Sequence, residues 1–148
     1  MSDESVRAAA EALRRTVVTD PAAAAATLEQ PIPVLGPGGE LDSWFVALTT
    51  GEGILGFFQL EPDLTLHRYS AFELPQPASA WLDSDAIVAR AHAAAAEGDE
   101  LGEPVLTYRE NRDRLTWRVP IRGRQSAIYV AGDFVEREEA APGKTGRS

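Results

Sequence analysis

The stretch Pro104 to Val135, PVLTYRENRDRLTWRVPIRGRQSAIYVAGDFV, decides the fold. Three runs rich in Val, Ile, Leu, Tyr and Trp are separated by two polar, charged breaks, the pattern of an antiparallel meander. Val105 to Arg109 reads as a strand, Glu110-Asn111-Arg112-Asp113 as a turn, Arg114 to Arg122 as a second strand, Gly123-Arg124 as a turn and Ser126 to Ala131 as the return. In the middle run Leu115, Trp117, Val119 and Ile121 alternate with Arg114, Thr116, Arg118, Pro120 and Arg122. Successive side chains of a strand point to opposite faces, so this spacing predicts a half-buried strand with a wet arginine face. Pro120 removes one ladder donor and marks an edge or a bulge. After Val135 the tail EREEAAPGKTGRS has no apolar period and is expected to be disordered.

Immediately upstream, Asp83-Ser84 can cap a helix running from about Asp85 to Glu97, with Gly98 as its stop. Its apolar stripe, Ile87, Val88, Ala91, Ala94 and Ala95, is small and suits a helix lying flat on a sheet. Trp81 stands where it can staple the helix start. His92 follows Val88 by one turn and should sit beside the stripe.

The same order occurs once before. Residues 3 to 18 have acids first, Arg14 and Arg15 last, and Val6, Ala9, Ala10, Leu13 and Val17 at helical spacing. Asp20-Pro21 opens a second helix of about two turns through the alanine run. Pro31 to Leu35 is extended and Gly36-Pro37-Gly38-Gly39 a loop. Strands follow at Trp44 to Thr50, Ile54 to Glu61 and Leu64 to Phe72. In the last of these Leu64, Leu66, Arg68, Ser70 and Phe72 share one face, and neither face is cleanly polar, as in a sheet covered on both sides over part of its length. Ile54 to Phe72 and Leu115 to Phe134 line up with one gap, which reads as an internal repeat.

A helix followed by a three-stranded meander, with Leu115-Thr116-Trp117-Arg118-Val119 at its centre and Ile128-Tyr129-Val130-Ala131-Gly132-Asp133 at its end, resembles the PepSY-type domains of the cystatin-like folds. The resemblance is best over Ala86 to Phe134 and reaches the first half only through the repeat. It implies a module that binds or restrains partners rather than one that does chemistry. Members are usually extracytoplasmic, in peptidase pro-regions or membrane-anchored sensors, and the family has no catalytic motif to carry over.

Composition bounds the rest. The chain has 148 residues, a net charge of -9 and no cysteine. That leaves room for one domain or two small units, and excludes disulfides, thiol catalysis and cysteine-ligated metals. The acidic balance argues against general nucleic-acid or anionic-membrane binding. No apolar run is long enough for a membrane span, and MSDESVRAAAEALRR is not a secretory signal, so a cytoplasmic location is expected.

Chemical motifs are few. His67 and His92 lack metal-binding spacing, no G-x-S-x-G elbow is present, and Gly36 to Gly39 lacks the Lys-Ser/Thr of a phosphate loop. Asp83-Ser84-Asp85 is explained by capping rather than calcium. No catalytic residue, metal site or cofactor is therefore assigned. The distinctive polar feature is an arginine cluster, Arg109, Arg112, Arg114, Arg118, Arg122 and Arg124, broken only by Glu110 and Asp113. Arginine grips carboxylate and phosphate bidentately, so these residues are the candidate binding face for an acidic peptide. The alternative is a solvated face whose arginines pair with acids of other elements. RNA binding would want aromatics between the basic residues, and Trp117 lies on the apolar face instead.

The expected fold is α+β: two helix-plus-three-stranded antiparallel meander units, with helices packed on a curved antiparallel sheet. Residues 1–74 hold the first unit, 75–136 the second and 137–148 the tail, all in one compact domain. The expected function is a binding or regulatory module for a protein or peptide, with a homodimer through an exposed strand edge consistent with such a sheet. Two other readings stay open: a small-molecule binding protein or enzyme with an aromatic-lined cavity, and an immunity- or chaperone-type partner of a toxin or effector.

Overall fold

The structure is a computed structural model that describes residues 3–132 and 134–138. The chain divides into two compact units, Met1–Ala78 and Ser79–Ser148. Nine strands and four α-helices are present among the described residues, and every strand pairing inside each unit is antiparallel. The fold class is α+β.

The first unit opens with α1 (Asp3–Val17), whose acidic first turn and basic last turn suit the helix dipole. It buries Val6 and Ala10 against the sheet. α2 (Pro21–Ala24) starts as its sequence dictates, with the Asp20 carboxylate accepting from the Ala23 N–H at 3.3 Å. It lasts one turn rather than the two expected from the alanines. The chain leaves it because Thr27 and Leu28 are recruited as β1 opposite Leu48 and Thr49. From α1, Arg14 donates to Ala26 O and Arg7 to Leu28 O at 2.9 Å, which fixes the extended path. Strand pairing thus overrides alanine's helix propensity.

β2 (Ile32–Leu35) follows β1 along the same side of β3 (Leu41–Thr50), and β4 (Gly53–Leu60) and β5 (Leu66–Gln76) continue on the other side. Trp44, Val46, Leu48, Phe58 and Leu60 meet Val6, Ala10, Val18, Ala23 and Ala26 in one apolar cluster. The opposite face of β3 and β4 is buried too, at Phe45, Ala47 and Phe57 and at the polar Ser43 and Gln59. Gln59 is satisfied there: its amide donates to Ser43 Oγ at 2.9 Å and its carbonyl accepts from Arg68 Nε at 2.9 Å. The expected common face of Leu64, Leu66 and Arg68 is wrong. Leu66 opposes Leu60 while Arg68 opposes Gln59, so a bulge at His67 flips the alternation.

The second unit starts at α3 (Ala78–Leu82), a short helix that holds Trp81, and α4 (Ser84–Ala91), capped by the Asp83 carboxylate on the Asp85 and Ala86 N–H groups. The expected helix to Glu97 ends six residues sooner, in a 3₁₀ turn at His92–Ala94. Asp99 explains the stop. Its carboxylate takes the Ala96 N–H at 2.8 Å and the Arg137 guanidinium at 2.7 Å, and Arg137 also donates to Ala94 O. These bonds satisfy helix-terminal groups that a longer helix would have used.

Then come β6 (Val105–Tyr108), β7 (Leu115–Pro120), β8 (Ala127–Ala131) and β9 (Phe134–Glu138), each paired with the next. Ile87 and Ala91 of α4 are fully buried, as are Val119, Ile128 and Val130, and α4 lies against β7 and β8. The Trp117 indole donates to Trp81 O at 3.1 Å, tying β7 to α3. Pro120 ends β7, just past the β6 ladder that begins at Val105 opposite Arg118, and its carbonyl accepts from the Gly102 N–H at 2.8 Å.

Two expectations are corrected here. β2 to β5 and β6 to β9 are each four strands in succession, not three. Residues 136–138 are not a tail: they pair with Ala127, Ile128 and Tyr129 in β9, and residues 139–148 lie outside the described residues.

Candidate functional site

Strand register builds the site on the face of β7, β8 and β9 opposite α4. Arg118, Tyr129 and Glu136 stand in one row across β7, β8 and β9, and Thr116, Ala131 and Phe134 belong to the same face. At this face an open depression of about 710 Å³ is lined by Arg109, Glu110, Asn111, Arg114, Leu115, Thr116, Tyr129, Ala131 and Phe134. The Tyr129 ring and Thr116, both buried, form its floor. Phe134 forms one rim at 58% exposure.

Arg109 is held in place. Its guanidinium lies 4.3 Å from the Tyr129 ring centroid, 2.8 Å from the Glu136 carboxylate and 3.7 Å from that of Glu138. Tyr129 Oη donates to Glu138 at 3.3 Å, so β9 supplies both anions and braces both the ring and the cation above it. These pairs are half-exposed and contribute little stability each; their effect is to orient Arg109. Arg114 is exposed on the β6–β7 turn, and no partner for it stands among the described residues.

The arginine cluster is therefore not one site. Arg109, Arg112 and Arg114 gather at one end of the β6–β7 hairpin, and Arg112 already has a partner. Arg122 and Arg124 lie at the far end of β7, about 26 Å from Arg114 at strand rise, and Arg124 faces Asp99 at 3.7 Å. Arg118 is half-buried between them. The expected wet arginine face is also drier than the alternation implied, since Thr116 is buried and Arg118 and Pro120 are half-buried. Of the six arginines, only Arg109 and Arg114 line the depression.

Phe134 was missed as a site residue because its apolar character reads as core. The signal was its neighbours: an aromatic directly ahead of Val-Glu-Arg-Glu, on a strand too charged to be central. Asp99 lies outside the depression, at the end of the α4 segment. Its side chain has no exposed surface, and the Arg137 hydrogen bond, with the Ala96 N–H and the nearby guanidinium charges, holds its carboxyl below the usual carboxylate range.

The histidines do not converge. His67 is half-buried with Nδ1 3.3 Å from Glu61, and His92 is exposed rather than set beside the helix stripe. Among the aromatics, Trp44, Phe45, Phe57, Phe58, Trp117 and Tyr129 are buried. No helix of the described residues is long and apolar enough to cross a membrane. No family model, no curated protein and no solved structure matches this chain.

Proposed function

We propose that this chain is a non-catalytic binding module that recognises a protein or peptide partner through the depression on its second unit. The carrying observation is the pairing of Phe134, a large apolar side chain left 58% exposed, with the exposed cation of Arg114, without a partner among the described residues, across the buried Tyr129 floor. Exposed aromatic and arginine side chains around a shallow concavity are the usual anchors of protein interfaces. The fitting ligand is a segment with one apolar anchor next to an acidic residue. Because the depression opens to the surface, it favours a peptide over a small molecule that needs enclosure.

The same reading takes the two units as copies of one helix-and-meander design of PepSY type. It is supported by the recurring order of a helical segment before four successive antiparallel strands. The family's habit of restraining partners agrees with a docking role.

The experiment is a peptide array of acidic-aromatic and acidic-aliphatic decamers, with the affinities of the best sequences then measured by isothermal titration. Phe134→Ala and Arg114→Glu should each weaken binding about 30-fold, the loss of an anchor of roughly 2 kcal/mol. Arg122→Glu, at the other end of β7, should leave it unchanged. Equal affinity of all three variants removes the site.

A further inference from the structure

The first unit carries a second surface, independent of the depression. β5 pairs with β4 on one side and with nothing on the other among the described residues. It is the longest strand among the described residues, at 11 residues. Long open edges are templates for strand addition, and proteins usually blunt them with charge, proline or brevity. β5 is neither short nor strongly charged, and its Pro75 lies near its end.

The sequence of this edge is self-complementary. About Ser70, Leu66 is related to Leu74, His67 to Glu73, Arg68 to Phe72 and Tyr69 to Ala71. Leu66 and Leu74 are two of the four exposed large hydrophobics among the described residues, at 37% and 75%. An antiparallel neighbour centred on Ser70 would set each against the other and oppose His67 to Glu73 of the second copy. Pro75 falls just outside the paired stretch, where its missing N–H costs nothing. Bulges ordinarily defeat edge pairing because a bent strand cannot follow a straight one. Here the shifts flank Ser70: one extra residue at His67, opposite Gln59/Leu60, and a wider irregularity over residues 72–75, opposite Ile54/Gly56. A two-fold axis at Ser70 lays one copy's first bend against the other's second.

We infer that β5 is an isologous dimer edge, occupied by β5 of a second copy of this chain in antiparallel register about Ser70. Such an interface repeats each contact twice, which is why self-complementarity within one strand suffices.

The absence of cysteine makes the register directly measurable. In the full chain, Ser70→Cys places two thiols directly opposite, within disulfide reach. Glu73→Cys places them about 20 Å apart, six residues of strand rise. Under mild oxidation the first should give a two-chain species far faster than the second. Sedimentation equilibrium of the unmodified chain should show a monomer–dimer equilibrium, and Leu74→Asp should raise its dissociation constant at least tenfold. Leu74 is mostly exposed, so that variant should retain the wild-type circular dichroism. A monomer at every concentration, equal cross-linking of the two cysteine variants, or a dimer indifferent to Leu74→Asp would each overturn the assignment.

Discussion

Leu64 sits at the one described non-glycine position with positive φ, at 73°. It closes the β4–β5 hairpin, where Leu64 N donates to Glu61 O and Glu61 N to Thr65 O, both at 2.8 Å. The 36–40 loop closes the same way, and glycine holds the equivalent place there, Gly39 at φ 88°. A branched L side chain in this region costs about 1–2 kcal/mol. Leu64 is nevertheless half-buried against the first unit's core cluster. Half of a full leucine burial contributes roughly 1–1.5 kcal/mol. Leu64→Ala loses that packing and keeps the strained backbone, so it should destabilise by about 1 kcal/mol. Leu64→Gly loses the packing and adds about 0.5–1 kcal/mol of unfolded-chain entropy, but it relieves the strain. Glycine should therefore equal or exceed alanine here, reversing the usual order of the two residues. Urea unfolding monitored by tryptophan fluorescence, with m-values unchanged, reads the difference. An alanine variant clearly more stable than the glycine variant would refute both the turn geometry and the strain assigned to it.

Ile87→Ala, at a fully buried position of α4, should cost about 2–5 kcal/mol in the same assay. Trp117→Phe removes the indole hydrogen bond to Trp81 O and should cost about 1–2 kcal/mol, with α3 becoming more open to amide exchange. Asp99, whose pKa is lowered by Arg137 and the Ala96 N–H, adds stability that is present above its unfolded pKa of about 3.9 and is lost as pH falls through the folded value. Stability measured from pH 6 downward should thus fall less steeply near and below pH 4 in Asp99→Asn than in the wild type.

Local rules were legible wherever local physics decides. The caps at Asp20 and Asp83 stood where side-chain oxygens can reach free N–H groups. β3, β4, β6, β7 and β8 appeared within a few residues of the runs that mark them, because alternation and turn residues are encoded nearby. The errors came from long-range pairing. Thr27-Leu28 became a strand only because β3 offers it a partner. Glu136 to Glu138, as charged as any tail, became a strand because β8 has a free side to pair with. α4 stopped early because Arg137, 38 residues away from Asp99, completes the bonds that end it. The site suffered in the same way. A linear run of arginines looks like one patch, yet the hairpin sends Arg122 and Arg124 to the opposite end from Arg109 and Arg114. The residue that completes the depression, Phe134, comes from a strand the sequence did not announce.

Amide and methyl chemical-shift mapping of an acidic-aromatic peptide onto the isotope-labelled full chain tests the docking surface most directly. The perturbed signals should cluster at Arg109, Arg114, Thr116, Tyr129 and Phe134, and need about 30-fold more peptide with Phe134→Ala. Perturbation centred on the 122–124 turn, or on the first unit with the depression silent, would contradict the account.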